Sequence, residues 1–176
     1  MGGNKMSEVF QTFTSIHVAI LTVSDTRTVE TDTGGLLIRE LVESAGLTVS
    51  SYTIVRDTAS EIQHQLNEWL NSDAIHTILI TGGTGISRRD VTIEAVDPLY
   101  EKKIEGFGEL FRYLSYVEDV GSKAMISRAS GGTIGDKVVF LLPGSRAAIR
   151  LAMTKLILPE LPHIYFELTK HQQSRV

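Results

Sequence analysis

Residues 77–90, TILITGGTGISRRD, run from an apolar, β-branched stretch straight into three glycines within four residues and end on two arginines and an aspartate. A strand that stops at a glycine loop, with a helix expected after it, is the βα unit of a parallel sheet. Gly82, Gly83 and Gly85 let backbone N–H groups turn toward one point without interference from Cβ atoms, and the helix start adds its positive pole. The loop is therefore read as an anion cradle, with phosphate as the expected ligand. It fits neither familiar phosphate pattern. G-x-x-x-x-G-K-[ST] needs a lysine that the loop lacks, and G-x-G-x-x-G begun at Gly83 would end on Arg88.

Working outward, residues 16–23 (IHVAILTV) form another apolar run of the kind buried on both faces of a parallel sheet, ending at Ser24-Asp25. A polar loop, 26–33, leads to a helix with inner positions Leu37, Ile38, Leu41, Val42 and Ala45, closed by Gly46 as a left-handed cap. Residues 47–55 read as the next strand, ending at Arg56-Asp57. Thr58-Ala59-Ser60-Glu61 reads as a capping box opening a helix with Ile62, Leu66, Trp69 and Leu70 inside, and 75–80 is the third strand. This rhythm predicts an α/β fold, a doubly wound and mostly parallel sheet with helices on both faces in three αβα layers and one antiparallel strand.

Beyond the loop the rhythm changes. Residues 91–100 predict a short helix, 105–109 a glycine-bearing turn, and 110–117 another helix. Apolar runs at 124–126 and 138–142, around Gly131-Gly132-Thr133-Ile134-Gly135-Asp136, predict a strand pair whose second member ends at Pro143-Gly144-Ser145. A last helix, 146–158, is expected to stop at Pro159 and Pro162, leaving an apolar tail, 161–168, docked on this subunit or a neighbour. The expected organisation is a flexible arm (1–15), one domain (16–168) and a C-terminal tail (169–176).

At 176 residues the chain suits a single domain, and at that size roughly 70% of the unfolded surface can be buried without help from metals or disulfides. The absence of cysteine excludes disulfides, thiolate nucleophiles and cysteine metal sites, and fits a cytoplasmic protein. No apolar run approaches the ~18 residues of a membrane span. The net charge of −4 argues against a nucleic-acid surface. The five histidines show no metal-ligand spacing, and no G-x-S-x-G elbow marks a hydrolase serine.

Four segments should bring chemistry to the carboxyl edge of the sheet: Ser24-Asp25, Asp57, Gly82-Gly83 and Pro143-Gly144-Ser145. Ligands bind there in open α/β sheets. Asp57 is favoured as functional, because Thr58 and Glu61 already account for the helix start beside it. Asp90 has a structural rival as N-cap of a helix beginning at Val91, and Asp25 as an Asx-turn residue. Aspartates beside a phosphate loop suit Mg²⁺, which takes one or two carboxylates plus substrate phosphates. Arg88 and Arg89 would draw an anion inward.

These motifs resemble those of the molybdenum-cofactor biosynthesis proteins of the molybdopterin adenylyltransferase type, most closely its B-type members. The matching residues are Leu21-Thr22-Val23-Ser24-Asp25, Asp57, Thr81-Gly82-Gly83-Thr84-Gly85 with Arg88-Arg89-Asp90-Val91-Thr92, Gly106-Phe107-Gly108-Glu109, Ile126-Ser127-Arg128-Ala129 and Leu142-Pro143-Gly144-Ser145. The resemblance covers about residues 16–166. It implies attack of the molybdopterin phosphate on the α-phosphorus of Mg-ATP, giving adenylyl-molybdopterin and pyrophosphate. It implies Asp57 and Asp90 as the functional acids and as Mg²⁺ ligands. It implies Ser24, Asp25, Gly82, Gly83, Thr84, Gly85, Ser87, Arg88, Gly108, Glu109, Ser127, Pro143, Gly144 and Ser145 as contacts for pterin and nucleotide. It also implies a homotrimer or hexamer and other proteins of the cofactor pathway as partners. A non-catalytic molybdopterin-binding or scaffold protein of that pathway is the alternative.

Overall fold

A computed structural model describes residues 16–173. The expected arm, 1–15, and residues 174–176 of the expected tail lie outside them. Six strands form one sheet: β1 (His17–Val23), β2 (Thr48–Val55), β3 (Thr77–Thr81), β4 (Lys102–Lys103), β5 (Ser130–Ile134) and β6 (Lys137–Leu142). Their order is β2-β1-β3-β6-β5-β4. β2, β1, β3 and β6 are mutually parallel, while β5 runs antiparallel to both of its neighbours. The doubly wound αβα sheet with one antiparallel strand is thus observed.

Alternation along β1 divides the core between two layers. Val18 and Ile20 join Leu37, Ile38, Val42, Phe107, Phe111 and Ile149 on one face. Ala19, Leu21 and Val23 join Ile62, Leu66, Trp69, Ala95 and Val96 on the other. The first face is covered by α1 (Thr33–Ser44), α4 (Glu105–Glu118), α5 (Arg146–Ala152) and α6 (Leu158–Gln173), the second by α2 (Ala59–Leu70) and α3 (Thr92–Val96). Every residue of β3 and β6 is buried, as strands sandwiched between helical layers must be. The chain leaves β1 in one lateral direction to reach β2 and crosses back to β3, so the switch in strand order opens at the ends of β1 and β3.

Several local expectations change. Residues 105–109 are not a turn but the first turn of α4, because Phe107 and Phe111 form one buried stripe that carries Gly106 and Gly108 into the helix. The run 124–126 is not a strand. It closes a 3₁₀ turn, Gly121–Ile126, and the partner of β6 is the glycine-bearing segment Ser130–Ile134, joined to it by the two-residue hairpin Gly135-Asp136. Lys102 and Lys103 are exposed and make the short edge strand β4, where Lys103 pairs with Asp97. The expected capping box does not form, since Thr58 is the N-cap residue but its side chain makes no capping bond and Glu61 does not take the Thr58 N–H. Glu61 instead accepts the Arg56 N–H at 3.1 Å, and the Thr58 hydroxyl is buried with no partner.

The largest change is at the prolines. The helix expected to end there runs on through Met153–Ile157 in a π turn and continues as α6 to Gln173, past the expected domain boundary at residue 168. The Leu158 N–H reaches back five residues to the Met153 carbonyl. That wider turn leads into Pro159, and Pro162 lies inside α6 itself, where the helix continues without its amide donor. The apolar stretch expected as a separate tail therefore packs as helix on its own subunit, with Leu161 in the core and Ile164, Tyr165, Phe166 and Leu168 against it.

Candidate functional site

The ends of β1, β2, β3 and β6 converge, and hydrogen bonds tie their loops together. Gly82 donates its N–H to the Leu142 carbonyl at 3.2 Å, and Thr81 its hydroxyl to the Pro143 carbonyl at 3.2 Å. Gly82 and Gly83 have φ of 94° and 61°, in the left-handed region that glycine reaches without a steric cost.

Four successive carbonyls of the glycine loop are engaged by protein donors. Thr92 takes the first two, its hydroxyl on the Gly82 carbonyl at 2.8 Å and its N–H on the Gly83 carbonyl at 3.0 Å. Arg128 takes the next two, Nε on the Thr84 carbonyl at 3.0 Å and Nη2 on the Gly85 carbonyl at 2.5 Å. In a trans peptide the next N–H points opposite to the carbonyl. The N–H groups of Gly83, Thr84, Gly85 and Ile86 are thereby turned from these partners, and among the described residues none has a protein acceptor. A row of free, fixed backbone donors is a nest for an anion.

Two clefts flank the point where Gly144 meets Gly82. One, of about 380 Å³, lies over Gly82, Gly83, Thr84 and Gly85 and is bordered by Asp90, Lys123, Ser127, Arg128, Pro143 and Gly144. The other, of about 220 Å³, is bordered by Ser24, Arg27, Asp32, Thr33, Gly34, Thr81, Gly82 and Gly144. Two neighbouring clefts on one glycine wall suit two ligands that must meet.

The acids sort themselves by partner. Asp57 is half-buried, and its Oδ1 is shielded from solvent with no hydrogen-bond partner. Burial first, and the nearby charge of Asp90 second, push its carboxyl above the usual range, against the pull of the Val91 N–H. Asp90 is not the helix cap, which is Val91 with α3 beginning at Thr92; its Oδ2 accepts the Ser87 N–H at 2.9 Å and closes the loop. Asp25 makes no Asx turn. It accepts the Asp57 N–H at 3.2 Å and pairs with Arg89, whose guanidinium holds the Asp25 carboxyl low. The turn at that strand end is made by Ser24, whose hydroxyl accepts the N–H groups of Thr26 and Arg27.

Other expected contacts lie further out. Arg88 is exposed and borders neither cleft, Ser87 braces the loop through the Arg89 N–H, and Ser145 caps α5 through the Ala148 N–H. Gly108 borders a third cavity beside α4, Ser127 borders both that cavity and the glycine-loop cleft, and Glu109 is exposed. Arg128 enters the sequence analysis only inside the motif 126–129, and Lys123, Asp32 and Thr33 do not enter it. Asp32 carried a usable signal, an aspartate just before a helix; it caps α1 by accepting the Gly35 N–H at 2.9 Å and also takes the Tyr52 hydroxyl. Lys123 carried none, because only the tertiary fold returns it to the loop, and the motif around Arg128 did not show that it would grip the loop carbonyls.

Mg²⁺ fits this donor set. Asp57 offers an unpartnered buried oxygen beside a second carboxylate and a phosphate nest, and no group of three or more acids or histidines builds an all-protein cage among the described residues. That suits an ion completed by ligand phosphates and water.

Residues 19–163 match the family described as "probable molybdopterin binding domain". The chain belongs to this family. It is 57% identical over 157 residues, 88% of this chain and 92% of the relative, to molybdenum cofactor biosynthesis protein B of Staphylococcus carnosus (strain TM300). A crystal structure of a molybdenum cofactor biosynthesis protein B superposes with a TM-score of 0.87 at 56% identity, over 89% of this chain and 97% of that one. The tungsten cofactor synthesizing protein MoaB from Pyrococcus furiosus superposes with a TM-score of 0.79 at 36% identity, over 88% and 97%. Among the described residues no helix is long and apolar enough to cross a membrane.

Proposed function

We propose that this family member acts in molybdenum cofactor biosynthesis in the cytoplasm, transferring the adenylyl group of ATP to the phosphate of molybdopterin and releasing pyrophosphate. The single observation that carries this is the row of free N–H groups at 83–86 beside the unpartnered oxygen of Asp57. A phosphate monoester is largely anionic near pH 7, so the attacking oxygen needs no strong base. Holding the two phosphorylated ligands in line is then the main task of the protein.

In this reading the nest holds a phosphate group, and the Gly82–Gly144 wall sets the pterin and nucleotide clefts at a fixed separation. Asp57 and Asp90 would hold Mg²⁺ together with the triphosphate, and Mg²⁺ bound there neutralises phosphate charge. Arg89, locked to Asp25, keeps the Asp57 loop in place, while Lys123 on the border of the cleft would meet the ligand's charge.

The deciding experiment is incubation with molybdopterin, ATP and Mg²⁺ while pyrophosphate is followed. Release in step with adenylyl-molybdopterin is expected. Tight pterin binding with no pyrophosphate would leave a binding or scaffold protein instead. Lys123→Ala is expected to raise KM for ATP about three- to tenfold with little change in kcat, the size of one charge-assisted contact at a partly exposed site.

Leu110, Tyr113, Tyr116 and Val117 of α4 are exposed and recur at helical spacing, and Met125 beyond the helix is exposed too. They support a homo-oligomer, a trimer or a hexamer, which sedimentation would measure, and other proteins of the pathway are candidate partners for the surfaces left open.

A further inference from the structure

A third cavity, of about 300 Å³, lies on the far side of Arg128 from the glycine loop, between α4, β5 and the turn after α3. Its charged lining is Asp97, Lys103, Glu105, Arg112 and Arg128. Most of these charges are spoken for. Lys103 is paired with Asp97, and Arg128 is paired with Glu94 while it holds two loop carbonyls. Arg112 is different. It is half-buried, yet among the described residues it has no hydrogen bond or ion pair. The hydroxyl of Ser127, on the opposite wall, likewise has no protein partner.

The guanidinium of Arg112 folds back over its own helix beside Gly108. A Cβ at that position would stand 3.0 Å from Nη1 and 2.9 Å from the Ala129 carbonyl, so the glycine leaves room for both. Among the described residues Arg112 pairs with no carboxylate, although the unpaired Glu105 borders the same cavity, and such an arginine presents up to five donors in a fixed fork, the geometry that oxyanions accept. Ser127 and Arg128 border both this cavity and the cleft over the glycine loop, so the two spaces adjoin.

We propose that the cavity is a second oxyanion site, binding a phosphate or pyrophosphate group through Arg112 and Ser127, separate from the backbone nest at 83–86. The site does not depend on the transfer reaction, since it rests on Arg112, Ser127 and the cavity alone. Two sources supply such a group. One is free pyrophosphate, and the other is a phosphate arm of a ligand lying across Ser127 from the main cleft.

The test is titration calorimetry of the full chain with inorganic pyrophosphate, and separately with ATP, on the wild type, Arg112→Gln and Ser127→Ala. Glutamine keeps most of the arginine stem, and the melting temperature checks that each variant is folded. Arg112→Gln is expected to weaken pyrophosphate at the second site at least tenfold, and Ser127→Ala about threefold, as loss of a charged fork and of one hydroxyl contact would. Weakening of pyrophosphate alone assigns the site to the free anion; weakening of ATP as well assigns it to a phosphate arm. Unchanged binding of both in a folded Arg112→Gln protein overturns the proposal. So does a structure of the assembled protein in which Arg112 pairs with a carboxylate of a second copy. Loss of pyrophosphate release with this site intact would instead count against adenylyl transfer.

Discussion

Asp57→Asn is expected to slow adenylyl transfer by about two to three orders of magnitude, the cost of removing one preorganised charge from a reacting phosphate site, while leaving the ligand-free protein at least as stable as the wild type at pH 7. The two effects have one cause. Burial and the charge of Asp90 raise the Asp57 carboxyl above its unfolded value. Between the two values the folded protein binds more protons than the unfolded one, so the carboxylate subtracts stability as pH rises through that window and the loss persists above it. Asparagine has the same shape and no charge to bury. Its melting temperature should match or exceed the wild type at neutral pH, and the difference should vanish in acid below both values. Thermal melts across pH, beside initial rates of pyrophosphate release, check both halves. A variant less stable than wild type at pH 7 would show that Asp57 serves the fold, and unchanged transfer would remove it from the chemistry.

Gly82→Ala is expected to cost about 3–5 kcal/mol of stability, the range of backbone strain added to a steric clash that cannot relax. A Cβ at 82 would lie 2.2 Å from the Val23 carbonyl oxygen, which belongs to the central strand β1, and φ there is 94°. Neither the strand nor the turn can give way without breaking the β1–β3 ladder. Gly46→Ala is the control. Its φ is 77°, but nothing lies within 4 Å of the added Cβ, so only the left-handed conformation is penalised, at about 1–2 kcal/mol. Urea unfolding of the two variants separates the terms. Equal losses would show that crowding at Val23 contributes nothing.

The first half of the fold was legible because each element there announces itself locally. Ile16 to Val23 has a strand's composition, Leu37, Ile38 and Val42 a helix's spacing, and Gly46 a helix's end. The second half was not. In Glu105–Glu118 two glycines suggest a turn, and only the buried Phe107–Phe111 stripe outweighs them. In Ser130–Ile134 small residues hide a strand whose pairing comes from β6. At Pro159 and Pro162 local chemistry argues against a helix, yet the chain stays helical, through a π turn before Pro159 and with Pro162 inside α6, where Leu161 enters the core.

The site followed the same division. The glycine loop, Asp57 and Asp90 could be singled out from sequence because strand ends and glycines mark them. The partners that shape the loop could not, since Arg128 and Lys123 reach it only through the folding of intervening helices. Asp25 was noticed for the wrong structural reason: it forms no turn of its own and instead joins Arg89 to the Asp57 backbone.

The arrest of four loop carbonyls by Thr92 and Arg128 also bears on how the molecule comes into being. Residues 82–85 leave the ribosome well before Arg128, and their wall is completed only when β6 delivers Leu142 and Gly144. A growing chain therefore exposes the glycine segment without the geometry to grip a phosphate, and gains that grip only once its last strand has docked. Ligand affinity is in this sense coupled to completion of the domain: a phosphorylated compound selects finished molecules from partial ones and, by mass action, stabilises the sheet and the late elements together.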